Sequence, residues 1–187
     1  MNKRLFLAIN LPQQIKEQIF DLVLKLQKAN KNKPIKWVEK DNFHLTLHFL
    51  GDTPEEKIPN IAQTLKPIIA DFKILDLKLS NSISAFPDLS NPKVIFLELI
   101  ELNGKQTLKL QRKIGEALEG LGFKIDSRPF RLHLTLGRVK FKSSIQIPDF
   151  QLPSTNFQIN SIELIESQLT PNGSIYSIIT KFALKIL

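Results

Sequence analysis

Cysteine is absent from the chain, which removes disulfide staples, thiolate metal sites and cysteine nucleophiles from the possible chemistries. A chain free of disulfides suits a reducing compartment, and the cytoplasm is the expected location. Long apolar runs are absent too: nothing approaches the ~20 residues that a membrane-spanning helix needs. The opening "MNKRLFLAINLP" begins with basic residues, but its apolar stretch is only Leu5 to Ile9, too short for a secretory signal. No membrane partner is therefore expected. Acidic residues are in deficit, 18 against 26 lysines and arginines, and the net charge of +8 points to a polyanionic partner such as nucleic acid or phosphate. What remains is ordinary for one globular domain with its own core: 187 residues, 42% hydrophobic and 24% charged.

Histidine is scarce, and its placement is the main signal. Of the three histidines, two open the same tetrapeptide, His-Leu-Thr-Leu, at His44 to Leu47 and at His133 to Leu136. The surroundings repeat as well. "RLFLAI" and "VIFLELIEL" read as strands. Each precedes a helical pattern: Ile15, Ile19, Leu22, Val23 and Leu26 after Pro12, and Leu108, Ile114, Leu118 and Leu121 before a capping Gly122. The second and longer match sets "FKILDLKLSNSIS" against "FQINSIELIESQL", and Phe6 and Phe96 stand at nearly equal distances before His44 and His133. A further helix is expected from "DTPEE", with Asp52 or Thr53 as N-cap and Ile58, Ile61, Leu65 and Ile68 on its apolar side. "TPNGS" reads as a turn before a closing strand. The expectation is an α+β protein: a single domain over 1–187 made of two pseudo-symmetric repeats, about 1–92 and 93–187. Two mainly antiparallel sheets would carry helices outside and enclose a central cleft.

Alternation along a strand puts His44, Thr46 and His48 on one face, with Leu45 and Leu47 behind. In the second copy Arg131, His133 and Thr135 share a face, backed by leucines. Two imidazoles across a cleft can divide acid and base work, one neutral and one protonated, while two hydroxyls donate to an oxyanion. That set suits in-line displacement at phosphorus. Between Asp126 and Asp149 every charged side chain is basic (Arg128, Arg131, Arg138, Lys140, Lys142), which fits a phosphate backbone or, more blandly, a solvated strand edge. Thr46 and Thr135 are also good strand formers in their own right, and Trp37 reads most simply as a core or edge aromatic. His48 has glycine, Gly137, at its matching position and reads as a cleft-edge residue. A zinc site through His44 and His48 is not expected, because the helical His-Glu-x-x-His context and a third ligand are missing.

The segments "RLFLAINLP", "IKWVEKDNFHLTLHFLG", "RPFRLHLTLGRV" and "SIELIESQLTPNGSIY" together resemble the two-histidine phosphoesterase superfamily. The nearest likeness is its RNA 2′,3′-cyclic phosphodiesterase branch, also called LigT-like or 2′-5′ RNA ligase. The resemblance implies a bilobal fold and opening of a terminal 2′,3′-cyclic phosphate to a 2′-phosphomonoester, without metal or other cofactor. It also implies 2′-5′ joining of tRNA halves by some members. Carried to this chain, it makes His44 and His133 the acid–base pair, with Thr46, Thr135 and Arg138 on the phosphate. His133 is expected as base and His44 as acid, with Arg131 and His48 as further substrate contacts and a monomer as the working unit. Two alternatives stay open: a phosphodiesterase for another small cyclic-phosphate or 2′-5′-linked nucleotide, and a non-catalytic RNA-binding module. The sequence departs from the family at Gly137, where alanine is common, and at His48, where a basic residue is common. Strict alternation also puts Arg138 opposite His133, unless a bulge near Gly137 re-aims it.

Overall fold

The computed structural model describes residues 1–171 and 173–186. Three amphipathic helices form where apolar residues recur at helical spacing. Helix α1 (Gln13–Ala29) buries the expected stripe of Ile15, Ile19, Leu22, Val23 and Leu26. Pro12 stands just outside it, and its carbonyl accepts the Ile15 and Lys16 amides at 3.0 and 3.1 Å. Helix α3 (Gln106–Gly120) buries Leu110, Ile114 and Leu118. Two residues past its last turn, Gly122 has a φ of +83°, the left-handed conformation expected of a glycine cap.

Helix α2 (Ile58–Ala70) begins later than "DTPEE" suggests. Asp52, Thr53 and Pro54 are instead the last residues of strand β3 (His44–Pro54), paired with Arg4, Lys3 and Asn2 of β1 (Asn2–Asn10). A short 3₁₀ turn, Glu55–Lys57, then leads into the helix. Partnering a neighbouring strand has overridden a local capping signal. The buried residues are Ile61, Leu65 and Ile69, with Ile68 only half-buried.

The remaining strands are β2 (Ile35–Trp37), β4 (Leu75–Phe86), β5 (Val94–Glu101), β6 (His133–Val139), β7 (Asn156–Ile159), β8 (Ser161–Thr170) and β9 (Gly173–Ala183). They form two antiparallel sheets, ordered β3-β1-β8-β9 and β2-β6-β5-β4-β7, so the α+β expectation holds. One continuous apolar core lies behind both motif strands and takes in Leu45, Leu47, Leu134 and Leu136 together with the helix stripes. The sheets do not divide at the sequence midpoint. β2 and β4 come from the first half yet lie in the second sheet, and β8 and β9 return from the second half to the first. The stretch from 157 to 169, set above against the segment that became β4, is broken at Asn160: β7 pairs with β4 in one sheet and β8 with β1 in the other. The expected "TPNGS" turn joins β8 to β9, and its Asn172 lies outside the described residues. Among the described residues no helix is long and apolar enough to cross a membrane.

Both motif strands carry the same irregularity. Across β1–β3, Leu7 faces His48 and Ala8 faces Thr46, leaving Leu47 as an extra residue. Across β5–β6, Ile95 faces Gly137 and Phe96 faces Thr135, leaving Leu136. The bulge thus falls on the last leucine of each His-Leu-Thr-Leu. The ladder also equates Phe96 with Ala8 rather than with Phe6, a correction to the simple distance count. Beyond the second bulge, Gly137 is closed in: a β-carbon there would lie 2.9 Å from Trp37 and 3.1 Å from Ile35. Gly137→Ala should therefore lower stability by about 1–3 kcal/mol through overpacking. Gly120→Ala, where nothing lies within 4 Å, should be neutral or stabilising by up to about 1 kcal/mol. Urea unfolding of the two variants beside the parent checks both signs.

Candidate active site

A bulge shifts every later side chain to the other face of its strand. His48 therefore turns toward α3 and Gly137 toward Ile35 and Trp37 of β2, while Phe49 and Arg138 turn toward the cleft. This corrects the placement of His48, which is 4% exposed and sits behind β3. Its Nε2–H donates to the Gln111 carbonyl of α3 at 2.7 Å, and its ring lies against Gly115, where a β-carbon would come within 3.0 Å. It borders a separate cavity of about 420 Å³ between α3 and the segment around Pro129. Arg138 moves the other way, onto the same side as Thr135, so the orientation left open by the sequence resolves toward the cleft.

Between the two sheets lies a cavity of about 410 Å³. The first sheet lines it with His44, Thr46 and Phe49 of β3, Arg4 and Phe6 of β1, and Tyr176 of β9; the second contributes Thr135 and Arg138. Four of the expected site residues thus meet in one space. His133 stands outside that lining, on the Thr135 face of β6 two residues earlier, and Arg138 exerts its charge on both imidazoles. Arg131 lies beyond His133. Its guanidinium is held by Glu98 at 2.6 Å and rests over the rings of Phe86 and Phe96.

The two histidines are mounted alike. Each Nδ1–H donates to the carbonyl two residues upstream, Asn42 for His44 and Arg131 for His133, at 2.8 Å in both cases. A carbonyl only accepts, so the hydrogen sits on Nδ1 and the lone pair on Nε2. Each ring is also set between two aromatics: His44 by Phe6 and Tyr176 at 4.9 and 5.2 Å, His133 by Phe96 and Phe86 at 5.1 and 5.2 Å. Burial among these rings disfavours the imidazolium. It pushes His44 down to about 4, with the Lys16 and Arg138 cations adding to the effect against the Asn42 hydrogen bond. His133 is lowered mainly by burial as well, with Arg131 and Arg138 contributing. Both histidines are thus biased toward the neutral form at pH 7.

Sequence reasoning missed the aromatic settings and Lys16. Lys16 occupies the apolar side of α1 and is 7% exposed. Its Nζ donates to the Asp41 carbonyl at 2.9 Å, fastening the turn whose next carbonyl, that of Asn42, holds His44. Asn42 is tied from the other side, its Nδ2 donating to the Ser174 carbonyl at 3.2 Å. The only hint in the sequence is a lysine beside a leucine–isoleucine stripe, which ordinarily means a side chain reaching out to water. Lys16→Met removes a buried cation near His44, so the His44 pKa should rise from about 4 while burial keeps it below the usual histidine value. Titration of the imidazole C2 proton by NMR reads this, and an unmoved or lower pKa would take Lys16 out of the account.

Among the described residues no group of three or more His, Cys, Asp or Glu side chains is arranged to hold a metal ion. Comparison with known proteins agrees with the geometry. A protein of Methanocaldococcus jannaschii named RNA 2′,3′-cyclic phosphodiesterase is 37% identical over 186 residues, covering 96% of this chain and 99% of its own. One of the same name from Archaeoglobus fulgidus is 34% identical, covering 92% of this chain and 96% of its own. The crystal structure of a Thermus thermophilus protein superposes with a TM-score of 0.84 at 26% identity, over 97% of this chain and 98% of the other. The sequence profile described as LigT like Phosphoesterase matches residues 9–96 and 100–176. With nearly its whole length matched in sequence and fold, the chain belongs to the LigT-like phosphoesterase family.

Proposed function

We infer that the protein is an RNA 2′,3′-cyclic phosphodiesterase, opening a terminal cyclic phosphate to a 2′-phosphomonoester with His44 and His133 as its acid–base pair. The observation that carries this reading is the matched mounting of the two imidazoles, each fixed through Nδ1 with Nε2 presented, on strands whose Thr46, Thr135 and Arg138 line one cavity. The shared name of the relatives supports the substrate class. In the reaction a water oxygen bonds to phosphorus as the bond from phosphorus to O3′ breaks. One imidazole takes the water proton and the other delivers a proton to O3′, leaving a 2′-phosphate and a 3′-hydroxyl. Thr46, Thr135 and Arg138 offer donors and charge to the equatorial oxygens, where negative charge grows in the transition state. The scheme calls on no metal, since the histidines move both protons.

The surroundings of Nε2 support a division of labour. Among the described residues His133 Nε2 has no protein partner, which leaves it free to accept a proton from water. His44 Nε2 faces the Thr46 hydroxyl at 3.1 Å. That hydroxyl donates to the neutral ring and can accept from Nε2–H once the ring is protonated, as befits the acid. An arriving phosphate offsets the Arg138 and Lys16 charges and raises both pKa values. The two strand–helix–strand units, β1–α1–β3 and β5–α3–β6, with bulges at matching places, support a duplicated origin within one domain. Both histidines come from one chain, so a monomer suffices. Cytoplasmic RNA ends are the natural substrates on this reading, and tRNA halves with the same termini fall within the same class.

Single His44→Ala and His133→Ala variants should each lose at least about 10²–10⁴-fold in kcat on a 2′,3′-cyclic nucleotide. Normal turnover by either would overturn the assignment. Both pKa values lie below the usual histidine value in the free protein. The bell for kcat/KM should therefore peak below about pH 6.5 and fall as pH rises through neutrality, with the kcat bell displaced upward by the bound anion. A kcat/KM maximum above neutrality would contradict this account. Comparing kcat/KM for 2′,3′-cyclic, 3′,5′-cyclic and 2′-5′-linked nucleotides fixes the substrate class.

A further inference from the structure

The basic run between Asp126 and Asp149 does not form one surface. Arg128 is ion-paired with Asp126, beside the cavity behind β3. Arg131 is ion-paired with Glu98. Only Arg138 lines the cavity between the sheets, and the fold gives it a neighbour from another part of the chain: Lys36 of β2 stands directly opposite Arg138 in the β2–β6 ladder. Ile35 and Trp37, on either side of Lys36, turn toward Gly137 on the core face, so Lys36 is exposed on the cleft face. Two residues past Arg138, the Lys140 amide donates to the Pro34 carbonyl at 2.8 Å, which keeps this exposed lysine alongside β2. Phe141 follows, 73% exposed, between Lys140 and Lys142.

This arrangement costs the free protein something. Like charges directly opposite across an antiparallel pair destabilise it, and among the described residues neither Lys36, Arg138, Lys140 nor Lys142 has an ion-pair partner. Guarding an edge strand requires a lysine on β2 alone. It does not require a second cation opposite, reaching into the cavity. A large aromatic left in water between two lysines gains nothing from the core. Unpaired cations beside an exposed ring are the elements that hold a single-stranded nucleic acid, charge for the backbone and a flat face for a base.

We propose that Lys36 and Lys140, continuing from Arg138 toward Phe141, form a track for the RNA strand upstream of the cyclic phosphate. The preferred substrate is then an oligonucleotide end rather than a free cyclic nucleotide. This rests on the cavity being the site of the cyclic phosphate. From Arg138 to Phe141 the chain spans about 10 Å at most, enough to engage the one or two nucleotides next to the reacting end.

The test compares a 2′,3′-cyclic mononucleotide with a single-stranded tetranucleotide ending in the same group, for the parent, the Lys36→Ala/Lys140→Ala double variant and Phe141→Ala. The parent should favour the tetranucleotide, and each variant should lower the tetranucleotide-to-mononucleotide ratio of kcat/KM, the double variant by about tenfold. Binding of a tetranucleotide with an open 3′-phosphate, measured alongside, should show a salt slope reduced by about 0.7 per lysine removed. A parent without preference for the longer substrate, or variants that slow both substrates equally, would overturn the track while leaving the phosphodiesterase reading intact. If neither substrate turns over, that reading fails, and the binding measurement alone decides the track: salt-sensitive binding lost with the lysines supports it, and unchanged binding sinks it.

Discussion

A bulge at the last leucine of each His-Leu-Thr-Leu organises the site. With strict alternation His48 would crowd the cleft and Arg138 would be driven toward the leucine core. Leu47 and Leu136 each fall out of the ladder, and the faces exchange after them. The two His–Thr pairs, His44 with Thr46 and His133 with Thr135, lie before the bulge and keep their common face. After it, an aromatic on one strand and a guanidinium on the other turn inward, and an imidazole and a glycine turn back. Each bulge therefore exchanges a core neighbour for a cleft neighbour without lengthening the motif.

The electrostatics follow from this placement. Two imidazoles walled by phenylalanine and tyrosine rings and faced by lysine and arginine cations are disfavoured as cations themselves. The positive charge beside the rings sits on Lys16 and Arg138 rather than on the imidazoles. An anion entering the cavity changes that balance at both rings at once, because Arg138 influences both. On the proposed reading, the protonation of both rings is thereby coupled to the arrival of a phosphate.

Much of this was legible because it is periodic or repeated. The stripe of α1, the glycine cap of α3 and the two His-Leu-Thr-Leu strands declare themselves through local spacing. What was hidden depends on pairing partners distant in the chain. The start of α2 was misread because Asp52 to Pro54 look like a cap until β1 claims them. The bulged leucines are invisible in sequence, since a leucine that drops out of register is spelled like one that stays. Lys16 was hidden because only the folded turn at Asp41 gives its ammonium a reason to be buried. The alignment of 157–169 with β4 failed at Asn160, where one residue carries the chain from one sheet to the other.

That crossing at Asn160 has a consequence for how such a molecule can be assembled. β7 and β8 are neighbours in sequence but belong to different sheets, and β2 and β4 cross over in the opposite sense. A chain cut at its midpoint would leave each sheet with raw edges that only the missing half can close. A single half could complete this architecture only by trading strands with a second copy of itself, because each sheet draws strands from both halves.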